Sequence, residues 1–179
     1  MPGRRPGPFF SQADEVFYGG AAGGGKSALL CGLAIEEHRK AIIFRREYSQ
    51  IKSLVDEVRR QIGTRAGYSA TDRLWRLPKC SELELGSVPR EDDKEKYQGR
   101  AHDLKAFDEV THFSESQYRF LIAWNRSAEP GQPVALRAGL PPDAPPRNQQ
   151  DHRDQPGDRR KRNHRPQQSN PEYRGIHNQ

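Results

Sequence analysis

One eight-residue segment constrains this chain more than any other. Residues 20–27 read GAAGGGKS, which fits the pattern G-x-x-x-x-G-K-S. Glycines adopt positive φ without steric cost, so the backbone N–H groups of such a loop turn inward around a polyphosphate, while the lysine reaches the outer phosphates and the serine hydroxyl ligates Mg²⁺. The residues predicted to hold a nucleoside triphosphate are Gly20, Gly23, Gly24, Gly25, Lys26 and Ser27.

The segments on either side of this loop favour the structure that the motif needs. Residues 14–18 (DEVFY) favour a strand that runs into the glycines, residues 28–34 carry an apolar helical stripe, and residues 41–44 (AIIF) resemble a buried second strand. This order predicts a parallel α/β unit with the phosphates at a helix N-terminus. A glycine-rich linker is the alternative, but it gives no reason for Lys and Ser to follow the last glycine.

The composition limits the cellular compartment and the kinds of binding partner that are plausible. The net charge of +6 is compatible with a polyanionic partner without requiring one, and two cysteines are too few for a metal cluster. Cys31 and Cys80 are therefore predicted to be ordinary core or turn residues. The lack of an apolar run long enough for a signal or a membrane span predicts a reducing, cytoplasmic setting with no membrane partner.

The chain divides unevenly along its length. All seven Phe and both Trp precede Pro130, and the mean hydropathy of -1.04 is low for a fully packed protein. This distribution predicts an N-terminal arm at residues 1–13, a core domain at residues 14–128, and a disordered tail rich in Pro, Arg, Gln and Asn at residues 129–179.

The middle of the chain has regular patterns. Apolar residues recur at helical spacing over residues 49–62, and Gly63 is placed to end that helix. Alternation on both sides of a turn at residues 78–81 predicts a β-hairpin. The charged residues 91–100 predict an exposed connecting loop, in which Gly99 allows a sharp turn.

A second chemical signal lies at residues 101–111 (AHDLKAFDEVT), where a strand ends in two carboxylates. Beside a phosphate-binding loop, Asp108 is expected to hold Mg²⁺ opposite Ser27, and Glu109 to orient the attacking water. An Asp-Glu pair on a solvated loop is the alternative, and His102, Asp103 and Lys105 make this a poorer buried strand than most. Ser114 with Gln117 forms a capping box that predicts a helix directly afterwards, with Phe113 and Tyr118 as packing residues.

In this order, the motifs resemble the ATPase domain of the large terminase subunit that packages DNA into tailed phage heads. The resemblance covers roughly residues 6–132. It rests on residues 14–27, FRREYSQI at 44–51, the hairpin segments LWRLP and ELELGSV, YQGR at 97–100, and FDEVTHFSESQY at 107–118.

The resemblance implies ATP and Mg²⁺ as ligands, with Ser27 and Asp108 at the metal and Glu109 as the catalytic carboxylate. It also implies that Arg45 or Arg46 senses phosphate or a neighbouring subunit, with a solvated pair at a strand end as the alternative, and that Gln12 meets adenine. The implied fold is an α/β fold with a P-loop NTPase-like parallel sheet, flanking helices and an inserted β-hairpin. The implied partners are double-stranded DNA, the phage portal, the small terminase subunit and further copies of the chain, in the cytoplasm of a bacterial host.

The chain departs from that family after residue 132. The family continues into another parallel strand, a Thr/Gly/Asn-Pro coupling motif and a nuclease domain, whereas PVALRAGLPPDAPPRNQQ at residues 133–150 lacks an apolar strand pattern. We therefore expect a sheet that is incomplete at its C-terminal side, and either a reading frame that shifts near Gln132 or a decayed prophage copy. Nucleotide binding is expected of such a fragment, and motor activity is not.

Two other functions are compatible with the sequence. One is a small stand-alone P-loop NTPase or kinase, although an acceptor site or lid is not evident. The other is a non-catalytic, basic nucleic-acid-binding protein that uses Arg165 and RRKR at residues 159–162 on phosphates. An incidental charge run is the simpler explanation of those residues, since nearby Asp residues dilute the charge and aromatic residues that would stack on bases are scarce.

Overall fold

A computed structural model describes residues 13–20, 23–127 and 129–140. In this part of the chain, seven strands form one sheet in the order β1-β7-β6-β2-β5-β4-β3. The first five strands in that order run parallel, and β4 and β3 add an antiparallel edge. Helices flank the sheet, so the predicted fold class, a mainly parallel α/β sheet with an inserted hairpin, is confirmed.

The first half of the chain follows the sequence predictions closely. Strand β1 spans Glu15–Tyr18, helix α1 spans Lys26–Glu36, and strand β2 spans Lys40–Arg45. A short 3-10 turn leads into helix α2 at Ile51–Ile62. Gly63 ends α2 at φ 73°, the left-handed conformation in which a glycine costs least.

The predicted hairpin is present, and its second strand has a further role. Strand β4 (Leu74–Trp75) pairs antiparallel with β5 (Glu82–Ser87), and the short strand β3 (Tyr68–Ser69) pairs with β4. Strand β5 also pairs in parallel with β2 along its whole length, so it is a central strand of the sheet. The segment predicted as an open loop forms a 3-10 helix at Glu91–Tyr97.

Strand β6 and helix α3 position the acidic end of the sheet. Strand β6 spans Leu104–Phe107, and helix α3 spans Glu115–Ile122. Both halves of the predicted capping box form, because the Ser114 hydroxyl accepts from the Gln117 N–H and the Gln117 side chain accepts from the Ser114 N–H. Phe113 and Tyr118 pack their rings against Phe107, as predicted for packing residues.

The expectation that no strand follows α3 is wrong. Strand β7 spans Ala135–Gly139 and lies between β1 and β6, parallel to both. This strand lies within the segment 129–179 that was predicted as a tail. The frame shift near Gln132 stays a prediction. Residues 141–179 lie outside the described residues, as do residues 1–12 of the predicted arm, so the arm and the rest of the tail stay predictions.

Two apolar layers hold the helices to the sheet. On one face, Leu30 of α1 and Leu54 of α2 pack with Ile43 and Leu85. On the other face, Leu121 of α3 packs with the buried residues Ile42, Phe44, Val88 and Phe107. Among the described helices, none is long and apolar enough to cross a membrane.

The polar residues that made β6 look poorly suited to burial are buried and paired. Asp103 accepts from the backbone N–H groups of Arg39 and Lys40, each at 3.1 Å. Lys105, which is 0% exposed, lies near the Arg100 carbonyl and His102, and His102 contacts Glu84 at 3.4 Å. Since these groups partner one another, the strand keeps a buried position without a continuous apolar run.

Candidate functional site

The glycine-rich loop connects β1 to α1 at the carboxyl edge of the parallel strands. Gly23 and Gly25 both have φ 74°, which a residue with a side chain adopts only with strain, and Gly25 is the N-cap of α1. The helix N-terminus therefore directs backbone N–H groups and a partial positive charge into the loop. Gly20 and Gly24 lie in the same loop and are exposed.

Lys26 is folded back over this loop. Its ammonium donates to the Gly20 carbonyl at 2.8 Å, so the charge lies beside the start of the loop. Tyr18, at the end of β1, donates its hydroxyl to the Lys26 carbonyl at 3.3 Å. Burial, with Asp108 nearby, raises the pKa of Tyr18, which keeps the hydroxyl protonated as a donor. The sequence analysis did not identify Tyr18 as part of the site, although its place directly before the loop was a signal.

The loop and the acidic strand end meet at Ser27 and Asp108. The Ser27 hydroxyl donates to Asp108 Oδ2 at 2.8 Å across 81 residues of sequence. Asp108 follows β6, and its backbone N–H donates to the Phe44 carbonyl at 2.9 Å, which fixes it beside the end of β2. Asp108 is only 2% exposed, so its carboxylate is held among fixed partners.

Arg45 connects both carboxylates of the predicted pair. Its Nε and Nη2 lie 2.8 and 2.7 Å from Asp108 Oδ2, and its Nη1 lies 3.1 Å from Glu109 Oε2. The parallel register pairs Phe44 with Phe107, so the residues that follow these two are neighbours at the sheet edge. This contact combines two charge-assisted hydrogen bonds, which are the stronger class of such bonds, with a further ion-pair contact from Nη2 to Asp108.

Glu109 has an unusual backbone for a residue with a side chain. Its φ of 61° and ψ of 58° lie in the left-handed region, which costs a non-glycine residue about 1 kcal/mol or more. Its Oε2 also lies 3.3 Å from His112 Nδ1. In this conformation the carboxylate contacts both Arg45 and His112.

Gly139 completes the site from β7, and the sequence analysis missed it. A Cβ at this position would lie 3.7 Å from Asp108 Oδ1 and 3.8 Å from the Lys26 Cβ, so the glycine lies between the loop and the acidic residue. The signal that could have found it is the short strand pattern ALRAG, whose C-terminal glycine ends beside the other strand ends.

The structure does not bring Arg46 into this cluster. Its guanidinium donates to the Gln117 side chain at the start of α3, and Gln117 in turn donates to the Val88 and Arg90 carbonyls. Arg46 therefore ties β2 to α3 and does not join Arg45 at the carboxylates. Gln12, the residue expected at adenine, lies outside the described residues.

The oxygen atoms at the meeting point suit a hard divalent cation. Ser27 and Asp108 supply one hydroxyl and one carboxylate, and Mg²⁺ commonly takes one or two protein oxygens, with water and phosphate oxygens as its other ligands. Within residues 13–20, 23–127 and 129–140, three or more His, Cys, Asp and Glu side chains never converge as a metal cluster would require. The donors present therefore fit a magnesium ion shared with a phosphate ligand, not a zinc-type site.

The strand order and the flanking helices place the chain among mixed α/β proteins with a mainly parallel sheet. The large terminase of a thermophilic bacteriophage has a similar structure, with a TM-score of 0.56 and 17% sequence identity over 76% of this chain. The chain spans only 36% of the length of that terminase. Neither a family model nor a curated protein matches the sequence, so this likeness is one of fold.

Proposed function

We propose that this chain is the ATP-binding, ATPase part of a terminase-like protein. The observation that carries the proposal is the 2.8 Å contact between the Ser27 hydroxyl and Asp108 Oδ2, because it joins the glycine-rich loop and the acidic strand end at one point. A triphosphate in the loop would bring its outer phosphates to that point, where oxygen ligands for its counter-ion are already in place.

Each residue has a distinct task in this proposal. Backbone N–H groups of the loop bind the phosphates, and the Lys26 ammonium leaves the Gly20 carbonyl to contact them. Ser27 and Asp108 hold Mg²⁺, which when bound neutralises phosphate charge. Glu109, turned toward the site by its left-handed backbone, orients a water for attack on the terminal phosphate.

The more specific part of the proposal is that this ATPase is terminase-like. It is supported by the fold likeness to the phage large terminase and by the motif order that resembles that family. By that likeness, the partners would be double-stranded DNA, a portal, a small terminase subunit and further copies of the chain. The family's coupling motif would follow β7, beyond Leu140 and outside the described residues, so the proposal for the described residues is limited to nucleotide binding and hydrolysis.

The test is equilibrium binding of a fluorescent ATP analogue, with and without Mg²⁺. We expect Mg²⁺-dependent binding that Lys26→Ala and Asp108→Asn each weaken by about tenfold or more, since each removes a charge-assisted contact of about 1.5–3 kcal/mol. Lys79→Ala is the matched control, because Lys79 is an exposed lysine paired with Glu36 and distant in the fold from the loop.

The outcome separates the candidate functions. Equal binding by Lys26→Ala and the unchanged protein would refute the nucleotide site. ATP turnover stimulated by double-stranded DNA favours the terminase assignment, and turnover that DNA leaves unchanged favours a stand-alone NTPase.

A further inference from the structure

Arg45 makes short contacts with both carboxylates of the candidate site, Asp108 and Glu109. Two of its nitrogens lie within 2.8 Å of a single oxygen, Asp108 Oδ2, and the third lies 3.1 Å from Glu109 Oε2. The Arg45 side chain is 13% exposed and that of Asp108 is 3% exposed. Screening by water is weak at such burial, so this contact is stronger than a surface ion pair.

Asp108 Oδ2 has no capacity left for a cation in this arrangement. It already accepts from the Ser27 hydroxyl and from Arg45 Nε, and Arg45 Nη2 lies 2.7 Å away as an ion-pair contact, whereas a carboxylate oxygen offers about two lone-pair directions. The guanidinium lies against the same oxygen that would ligate Mg²⁺ beside Ser27. A divalent ion that binds Oδ2 beside Ser27 takes the place of Arg45 there, so cation and guanidinium compete for this oxygen.

The backbone around this contact is fixed, so the exchange requires only side-chain movement. The backbone bond from the Asp108 N–H to the Phe44 carbonyl, at 2.9 Å, holds the ends of β6 and β2 together whichever cation is bound. Glu109 gives Arg45 a second anchor at the rim, where its side chain is 30% exposed. A guanidinium released from Asp108 can therefore stay tethered at the mouth of the site.

We infer that Arg45 is a resident counter-ion of the nucleotide-free state, which blocks the divalent-cation position on Asp108 and is displaced when the cation arrives with its nucleotide. This inference deepens the proposed function and rests on it for the identity of the cation. It assigns Arg45 to regulation within its own chain, as distinct from a contact with a neighbouring subunit. A guanidinium that only stabilised the fold would not limit cation binding.

The test is Mn²⁺ binding to the nucleotide-free protein, measured by the loss of the free-ion signal in electron paramagnetic resonance. We expect Arg45→Gln to bind Mn²⁺ about tenfold more tightly than the unchanged protein, because one competing charge-assisted contact is removed. Arg45→Lys, which keeps the charge but not the forked geometry, should give a smaller gain. The double variant Arg45→Gln with Asp108→Asn should lose the gain.

Arg60→Gln is the control, since Arg60 is an exposed arginine of α2 paired with Glu57 and its loss should leave Mn²⁺ affinity unchanged. Circular dichroism and thermal unfolding identify variants that keep the fold. If Arg45→Gln does not fold, Arg45→Lys carries the test with its smaller expected gain in Mn²⁺ affinity. Unchanged or weaker Mn²⁺ affinity in the folded variants overturns the inference.

The same data separate this inference from the proposed function. Lys26-dependent nucleotide binding together with unchanged Mn²⁺ affinity in Arg45→Gln rejects the counter-ion role and leaves the nucleotide site intact. Tighter Mn²⁺ binding in Arg45→Gln without any nucleotide binding supports the competition at Asp108 and rejects the ATPase assignment.

Discussion

Replacing Lys105 by methionine should make this protein more stable at neutral pH. Lys105 lies in β6 at 0% exposure, with its ammonium 3.4 Å from the Arg100 carbonyl and 3.5 Å from His102 Nδ1. Burial lowers the pKa of Lys105 from 10.5 to about 8, and attraction to Glu84 only partly opposes this shift. Methionine has a similar length and no charge to bury.

The size of the effect follows from the shift in pKa. A lysine whose folded pKa is about 8 and whose unfolded pKa is 10.5 costs the folded state about 3 kcal/mol when charged, at about 1.4 kcal/mol per pH unit. Because the unfolded chain binds the proton more tightly, this cost is fully present below pH 8 and disappears as pH rises toward 10.5. The two long hydrogen bonds lost with Lys105 reduce the net gain to about 1–3 kcal/mol at pH 7.

The assay is urea unfolding at pH 7 and again near pH 10. Lys105→Met should unfold at higher urea than the unchanged protein at pH 7, and the difference should shrink at the higher pH. Lys52→Met, on the exposed face of α2, is the control and should leave stability nearly unchanged. A Lys105→Met protein of equal or lower stability at pH 7, or a difference that does not vary with pH, would refute the reasoning.

Two further predictions concern the packing that supports the site. Gly86→Ala should lower the free energy of unfolding by about 1–3 kcal/mol, because a Cβ there would lie 2.7 Å from the Phe44 ring and 3.0 Å from the Tyr97 hydroxyl; an unchanged melting temperature would contradict this. Asp103→Ala should cost about 1–3 kcal/mol by leaving two backbone N–H groups at the start of β2 without their acceptor. Chemical unfolding measures that loss, and stability equal to the unchanged protein would rule it out.

The local signals of this sequence predicted their elements well. The helical spacing of Leu54 and Val58 indicated α2, and Gly63 indicated its end, because both depend on the geometry of a few consecutive residues. The juxtaposition of Ser27 and Asp108 was also predictable in outline. A phosphate-binding loop and an acidic residue that each follow a parallel strand must come out at the same edge of the sheet.

The central position of β5 was not predictable in the same way. Leu83 and Leu85 alternate with Glu82 and Glu84, which is the pattern of a half-solvated hairpin strand. The structure buries Glu84 because Arg100 binds it at 2.9 Å and His102 at 3.4 Å. Those partners lie well beyond the hairpin in sequence. The alternation of apolar and polar residues within one strand therefore cannot predict that Glu84 is buried.

Strand β7 was missed because one charged residue lies in its middle. Arg137 is 6% exposed, and its guanidinium donates to the carbonyl oxygens of Ala13 and Leu136, so backbone groups satisfy the charge. Burial lowers the pKa of Arg137, because desolvation disfavours the charged guanidinium. A criterion that requires a continuous apolar run rejects β7 because of Arg137, although the other residues of the strand are small or apolar.

The site depends on that strand more than on any other element the sequence analysis missed. The glycine-rich loop follows β1, and Asp108 follows β6. These two strands do not pair with each other, because β7 lies between them. Gly139 at the end of β7 lies beside both Lys26 and Asp108, since a Cβ there would be within 3.8 Å of each. A chain ended at the predicted boundary of residue 128 would leave β1 and β6 without their shared neighbour. The contact between Ser27 and Asp108 is therefore a product of three strand ends, and the loop motif alone is not sufficient to produce it.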